Sequence, residues 1–201
     1  MSTLLVLNSS ASGAASVSRQ LIEETVTRLR GQDPALKVVE RDLGTSPVPH
    51  LTADSAAAIR GTEPANEAQT QARALSDALV EELKAADVLV IGAPMYNFGI
   101  PSTLKAWFDY VLRASVTFKY SEAGPEGLLK GKRAIVVESR GGLYSSGPAQ
   151  SLDSQEPHLR TLLGFIGISD GTFVRADTLG YGPEARQQAI NDAQAELARV
   201  A

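Results

Sequence analysis

The chain contains no cysteine. That absence excludes disulfides, thiolate metal sites, cysteine nucleophiles and a peroxidatic thiol. Histidine is scarce as well, with His50 and His158 only, so a histidine-rich metal site is excluded. No apolar run approaches the roughly 18 residues that a membrane span requires. The opening MSTLLVLNSS has no basic stretch, and its apolar run stops at Asn8, too short for a signal peptide. A soluble, cytoplasmic protein with no membrane partner is expected. Basic clusters are also missing: 19 Lys and Arg are scattered against 23 Asp and Glu, for a net charge of -4. A nucleic-acid binder draws much of its affinity from a concentrated positive surface, so no nucleic-acid partner is expected. G-x-x-x-x-G-K-[ST], G-x-G-x-x-G and G-x-S-x-G are all absent, which removes a P-loop, a dinucleotide fingerprint and a hydrolase elbow. A chain of 201 residues suits one domain over 1–201.

What is present alternates regularly. Leu4 to Leu7 form a short apolar run, as a strand buried on both faces requires. Val17, Leu21, Ile22, Val26 and Leu29 recur at helical spacing, with Ser16 as N-cap and Gly31 as stop. Lys37 to Leu43 reads as a second strand, and the Pro-, Thr- and Ala-rich stretch from Thr45 to Asn66 as a long loop with a short helix at Asp54 to Arg60. A helix carrying Ala72, Leu75, Leu79 and Leu83 leads to a third strand, Val88 to Ile91. Helices at Ser102 to Arg113, Gln150 to Phe165 and Pro183 to Val200 then alternate with strands at Ala134 to Val137 and Thr172 to Ala176. Apolar strands alternating with helices predict an α/β, flavodoxin-like fold: a five-stranded parallel sheet of order 2-1-3-4-5 with helices on both faces.

In such a sheet ligands bind beyond the carboxyl ends of the strands where the strand order reverses, which selects three loops. The first, NSSASGAASVS, gathers hydroxyls where a helix begins, and free N–H groups with the helix dipole make that a cradle for phosphate without Lys or Arg. Ordinary capping by Ser16 is the plainer reading. The second, APMYNFGIP, holds Met and aromatic side chains between prolines, a flat surface suited to a planar ring or merely to neighbouring loops. The third, SRGGLY, leaves bare backbone at paired glycines, for a ligand's close approach or for a plain turn. A phosphate cradle beside a planar, backbone-lined slot describes flavin mononucleotide (FMN). No side chain here accepts a hydride, so redox chemistry would rest on that cofactor and no protein residue is assigned as catalytic.

The stretches SSASGAASVSRQL, RDLGTSPVP, APMYNFGIPSTLKAWFD, VTFKYSEAGPEGLLKGK, SRGG and LGFIGISD span nearly the whole chain. They resemble the FMN-dependent NAD(P)H azoreductase and quinone reductase family, flavodoxin-like homodimers with one FMN per subunit. The resemblance implies that Ser10, Ser16, Val17 and Ser18 hold the phosphate, that Met95, Tyr96, Asn97 and Phe98 line the isoalloxazine, and that Ser139, Arg140, Gly141 and Gly142 meet its pyrimidine side. Tyr144 stands where some relatives have histidine. The implied reaction is ping-pong: NADH or NADPH reduces the flavin, leaves, and a quinone or azo compound takes its place. Quinone reduction uses two electrons, and azo cleavage to two amines uses four.

The remaining expectations concern an acceptor pocket. Val116, Phe118 and Tyr120 alternate with polar residues in an insertion that a five-stranded sheet cannot house. Either Phe118 and Tyr120 roof the active site of a second subunit, or they form a hairpin folded on their own chain. Arg60 is either a cation meeting the dinucleotide or a solvated helix charge. Other classes stay open: a flavodoxin-type electron carrier, a general NAD(P)H-dependent FMN reductase, or a hydrolase using Ser10 with His50 or His158.

Overall fold

The computed structural model describes residues 2–61 and 63–200. The strands β1 (Thr3–Asn8), β2 (Lys37–Asp42), β3 (Val88–Pro94), β6 (Arg133–Ser139) and β7 (Asp170–Ala176) form a parallel sheet of order β2-β1-β3-β6-β7. This is the expected order, once the separate antiparallel hairpin β4 (Phe118–Ser121) and β5 (Gly124–Gly127) is set aside. The helices are α1 (Val17–Gln32), α2 (Ala53–Arg60), α3 (Glu67–Ala85), α4 (Ser102–Val111), α5 (Glu156–Phe165) and α6 (Pro183–Val200).

Alternate residues of each strand point to opposite faces, which divides the core in two. Leu4, Val6, Val90, Ile135, Val137 and Val174 meet α1 and α6 through Val17, Leu21, Ile190 and Leu197. Leu5, Leu7, Leu89, Ile91, Ala134 and Val136 meet α3, α4 and α5 through Leu79, Leu83, Trp107, Leu159 and Leu163. Each such side chain contributes roughly 1.5–3 kcal/mol on burial, so both faces must stay covered. Among the described residues no helix is long and apolar enough to cross a membrane.

Three helix boundaries differ from expectation, and the first is α4, which ends at Val111 and not at Arg113. α1 runs past Gly31 and stops at Gln32, because Asp33 precedes Pro34 and is forced into extended backbone (φ -129°, ψ 92°). The helix expected over Gln150 to Phe165 is broken: a short 3₁₀ turn covers Pro148–Leu152, and α5 starts only at Glu156. Asp153 is extended there (ψ 99°), and its carboxylate accepts from the N–H groups of Gln155 and Glu156, so it ends one turn and caps the next helix. Ala53–Arg60 is helical as expected, with Thr52 and Ser55 forming a capping box. Thr62, in the loop expected over 45–66, lies outside the described residues.

Candidate functional site

The three selected loops meet at the carboxyl edge of the sheet around a cavity of about 170 Å³, lined by Ser10, Ser12, Ser16, Val17, Met95, Tyr96, Ser139, Arg140, Gly141 and Arg186. Ser16 caps α1, accepting from the Arg19 N–H at 3.2 Å, and its Oγ lies 3.1 Å from the Ser18 Oγ. The plainer reading of Ser16, as the N-cap, is what the structure shows, and the capping hydroxyl stands at the positive end of the helix. The Tyr96 hydroxyl accepts from the Ala11 N–H at 3.0 Å and lies 3.4 Å from the Ser10 Oγ, which ties the aromatic loop to the serine loop. Neither His50 nor His158 lines the cavity, so Ser10 has no base there for hydrolysis.

The second loop is strained. Tyr96 and Gly99 exchange backbone hydrogen bonds at 3.0 and 3.1 Å, closing a tight turn. Its two central residues, Asn97 and Phe98, have φ of 47° and 71°. Asn tolerates the left-handed region, whereas for Phe it costs roughly 1–2 kcal/mol. The turn pushes the Phe98 ring outward, 45% exposed, where it meets Tyr144 edge-on with centroids 6.0 Å apart. The Met95 N–H donates to the Ser139 carbonyl at 2.9 Å, joining this loop to the third.

In the third loop Gly141 and Gly142 behave differently. A Cβ on Gly141 would meet nothing within 4 Å, although this residue lines the cavity, so its bare face is open to a ligand. Gly141 does not have a positive φ, so its backbone conformation does not by itself call for glycine. A Cβ on Gly142 would touch the Tyr144 ring at 3.0 Å. Carbonyls of Arg140, Gly141 and Gly142 accept from the N–H groups of Leu179, Gly180 and Thr178, which pins the loop to the chain after β7.

Arg140 lines the cavity, but its charged side chain is turned into the protein. Its guanidinium is fully buried among carboxylates: Glu138 at 2.8 Å, Asp153 at 3.0 Å, and Glu156 and Asp177 at 3.7 Å. Burial raises Glu138 to about 8 despite the opposing charge of Arg140, and the charges of Glu156 and Asp153 add to the rise. Burial alone would raise Glu156 as well, but hydrogen bonds from Arg175 and Arg160 outweigh it and hold Glu156 at about 2. Two residues escaped the sequence reading. Arg186 brings an exposed cation to the serine cradle, contrary to the expectation of none, and its helical position in α6 carried no signal. Gln155 is wholly buried, donating to the Ala93 carbonyl at 2.6 Å and accepting from the Arg140 Nε at 2.9 Å.

Arg60, Phe118 and Tyr120 come together in a second cavity of about 450 Å³, with Leu51, Ile59 and Phe165. It shares no lining residue with the serine cavity. The two aromatics separate in role: Phe118 is 8% exposed and packs on Phe165 of its own chain at 4.6 Å, while Tyr120 is 73% exposed. Tyr144 lies in neither cavity and lines a cleft of about 300 Å³ with Gln150, Glu156 and Arg160.

The family model for the flavodoxin-like fold matches residues 2–201. The chain is 59% identical over 201 residues to an FMN-dependent NADH:quinone oxidoreductase of Hyphomonas neptunium, covering 100% of this chain and 96% of that one. It is 52% identical to a protein of the same name from Azotobacter vinelandii, with both chains covered in full. Among solved structures, the azoreductase of Bacillus anthracis Sterne superposes with a TM-score of 0.90 at 29% identity, covering 100% of this chain and 98% of that one. An FMN-dependent NADH-azoreductase from Bacillus anthracis Ames Ancestor, solved in complex with FMN, gives 0.88 at 26% identity, with both chains covered in full. The chain belongs to the flavodoxin-like fold family, among the proteins named FMN-dependent NADH:quinone oxidoreductases.

Proposed function

We propose that this chain is an FMN-dependent oxidoreductase that oxidises NADH or NADPH and reduces quinones, and azo compounds to pairs of amines. The observation that carries this reading is the meeting of a serine-lined helix start, Met95 and Tyr96 ahead of the strained turn at Asn97 and Phe98, and the open backbone of Gly141 around one cavity. Names borne by relatives of 59% and 52% identity support it. FMN held there would accept electrons from the dinucleotide and pass them to the acceptor.

The protein's part is to bind and orient. Ser10, Ser16 and Ser18, with the α1 N-terminus, offer hydroxyl and N–H donors to the phosphate, and Arg186 adds a positive charge. Met95, Tyr96, Asn97 and Phe98 supply the wall for the ring, with Ser139 and Arg140 beside it, and the N–H groups of Gly141 and Gly142 lie where negative charge on the pyrimidine side would be stabilised, since the Arg140 N–H is taken by the Ala176 carbonyl. Val17, behind the cradle, is 5% exposed and packs into the core. One open slot taken in turn by donor and acceptor implies ping-pong kinetics.

The working unit in this reading is a cytoplasmic homodimer, each chain one domain, with small molecules as its only other partners. Arg60 and Tyr120 line a cavity that shares no lining residue with their own chain's serine cavity, and in this reading they roof the partner's flavin. The purified protein is expected to be yellow, to release FMN, and to oxidise NADH with a quinone in the absence of any partner reductase. Failure of the apoprotein to bind FMN, or NADH oxidation only through an added reductase, would overturn the reading.

A further inference from the structure

Three consecutive residues ahead of α5 bind at the two loops assigned to the flavin ring and at the end of β3. Asp153 forms an ion pair with the Arg140 guanidinium at 3.0 Å, and its other oxygen caps α5 at 2.9 and 3.2 Å. The Ser154 N–H donates to the Phe98 carbonyl at 3.0 Å. Gln155 joins the end of β3, through the Ala93 carbonyl two residues before Met95, to the third loop, through Arg140. We propose that Asp153-Ser154-Gln155 is a positioning bracket that sets the spacing of the 95–98 and 139–142 loops across the flavin, with Gln155 as its central residue. The inference rests on the reading that these loops line the flavin ring.

A capping role alone would not demand this arrangement. Asp153 already caps α5, so Gln155 is not needed for the helix start. A buried glutamine is costly unless its amide is satisfied on both sides, and here one bond runs to the end of β3 and the other to the 139–142 loop. The bracket's own position comes from the core, since α5 is seated there by Leu159, Leu162 and Leu163. The turn at Asn97 and Phe98 needs such an anchor. Residues in the left-handed region persist only where the surroundings over-determine them. The paired bonds of Tyr96 and Gly99 close the turn without locating it against the sheet, whereas the Ser154 bond does locate it. Reacting groups displaced by about 1 Å lose on the order of a hundredfold in rate, so an error in loop spacing reaches the chemistry.

The test compares two flavins on the apoprotein. Gln155→Met keeps the volume and removes both side-chain bonds. Ser154→Pro removes only the N–H toward Phe98, and Asp153 already has the extended backbone that a following proline requires. FMN and riboflavin are titrated by fluorescence quenching, with visible circular dichroism of the bound flavin and urea unfolding to score folding. Because the bracket acts on the ring side, both variants should weaken FMN and riboflavin by the same factor, about tenfold or more, with an altered dichroic band. A folded variant with unchanged affinity for both flavins, or a loss confined to FMN, would overturn the bracket. Should Gln155→Met fail to fold, Ser154→Pro decides alone, since its site is exposed. Phe98→Ala and Gly141→Val separate the two levels. If they also leave both affinities unchanged, the flavin site itself is misassigned; if they weaken binding while the bracket variants do not, only the bracket fails.

Discussion

Glu138→Gln tests the most unusual electrostatic feature of the protein. Around Arg140 the carboxylates of Glu138, Asp153, Glu156 and Asp177 face the guanidiniums of Arg140, Arg175 and Arg160, four negative groups against three positive. Protonating Glu138 makes the cluster neutral, and its buried Oε1, which has no hydrogen-bond partner, would be the costliest site for a charge. With Glu138 raised from 4.5 to about 8 by burial, the folded chain holds a proton across that interval that the unfolded chain has released. The stabilisation is fully present below the unfolded value and is lost as pH rises toward the folded one. Its slope cannot exceed one proton, about 1.4 kcal/mol per pH unit. Glu156 acts in the opposite sense: held at about 2, it stabilises above 4.5 and loses that contribution in more acidic solution. The two together place the maximum near the ordinary carboxylate value. Urea unfolding of the apoprotein from about pH 5 to above pH 8 should show falling stability in the wild type and a flatter profile in Glu138→Gln, with the variant the more stable at the alkaline end. An identical slope in both proteins would refute the assignment.

Other substitutions divide structure from function. Ser16→Ala should cost about 1 kcal/mol of stability because it removes the α1 cap, whereas Ser18→Ala should not. The double variant should lose FMN affinity, each charge-assisted bond counting for roughly 1.5–3 kcal/mol, and keep its affinity for riboflavin, as calorimetry with both flavins would show. Phe118→Ala should destabilise the fold by about 3–5 kcal/mol, whereas the exposed Tyr120 should be nearly neutral for stability when truncated and should instead raise KM for the acceptor. A Cβ on Gly127 would lie 2.0 Å from the Gly167 nitrogen. Gly127→Ala should therefore lift the β4–β5 hairpin from the end of α5, and hydrogen exchange should show faster opening at Phe118 to Gly127 with the central strands unchanged.

The strands and the main helices were legible because their signal is local. An apolar run such as Leu4 to Leu7 and a helical repeat such as Leu75, Leu79 and Leu83 each report their own burial, and the strand order follows from how parallel units connect. Topology then selected the three loops without any structure. The break at Asp153 was hidden because its cause is a carboxylate that both caps α5 and pairs with Arg140, a residue of another strand's loop. The strain at Phe98 was hidden for a similar reason, since only the closed turn and its anchor show the backbone's hand.

Local pattern determined which elements exist and which loops share an edge, because backbone period and hydroxyl-rich helix starts are properties of neighbouring residues. Tertiary structure alone decided that Arg140 turns its charge into a buried cluster, that Phe118 is covered while Tyr120 is not, and that Gln155 joins the end of β3 to Arg140. Those outcomes depend on groups brought together from distant positions, where burial and pairing set the energy and sequence spacing carries no record of either.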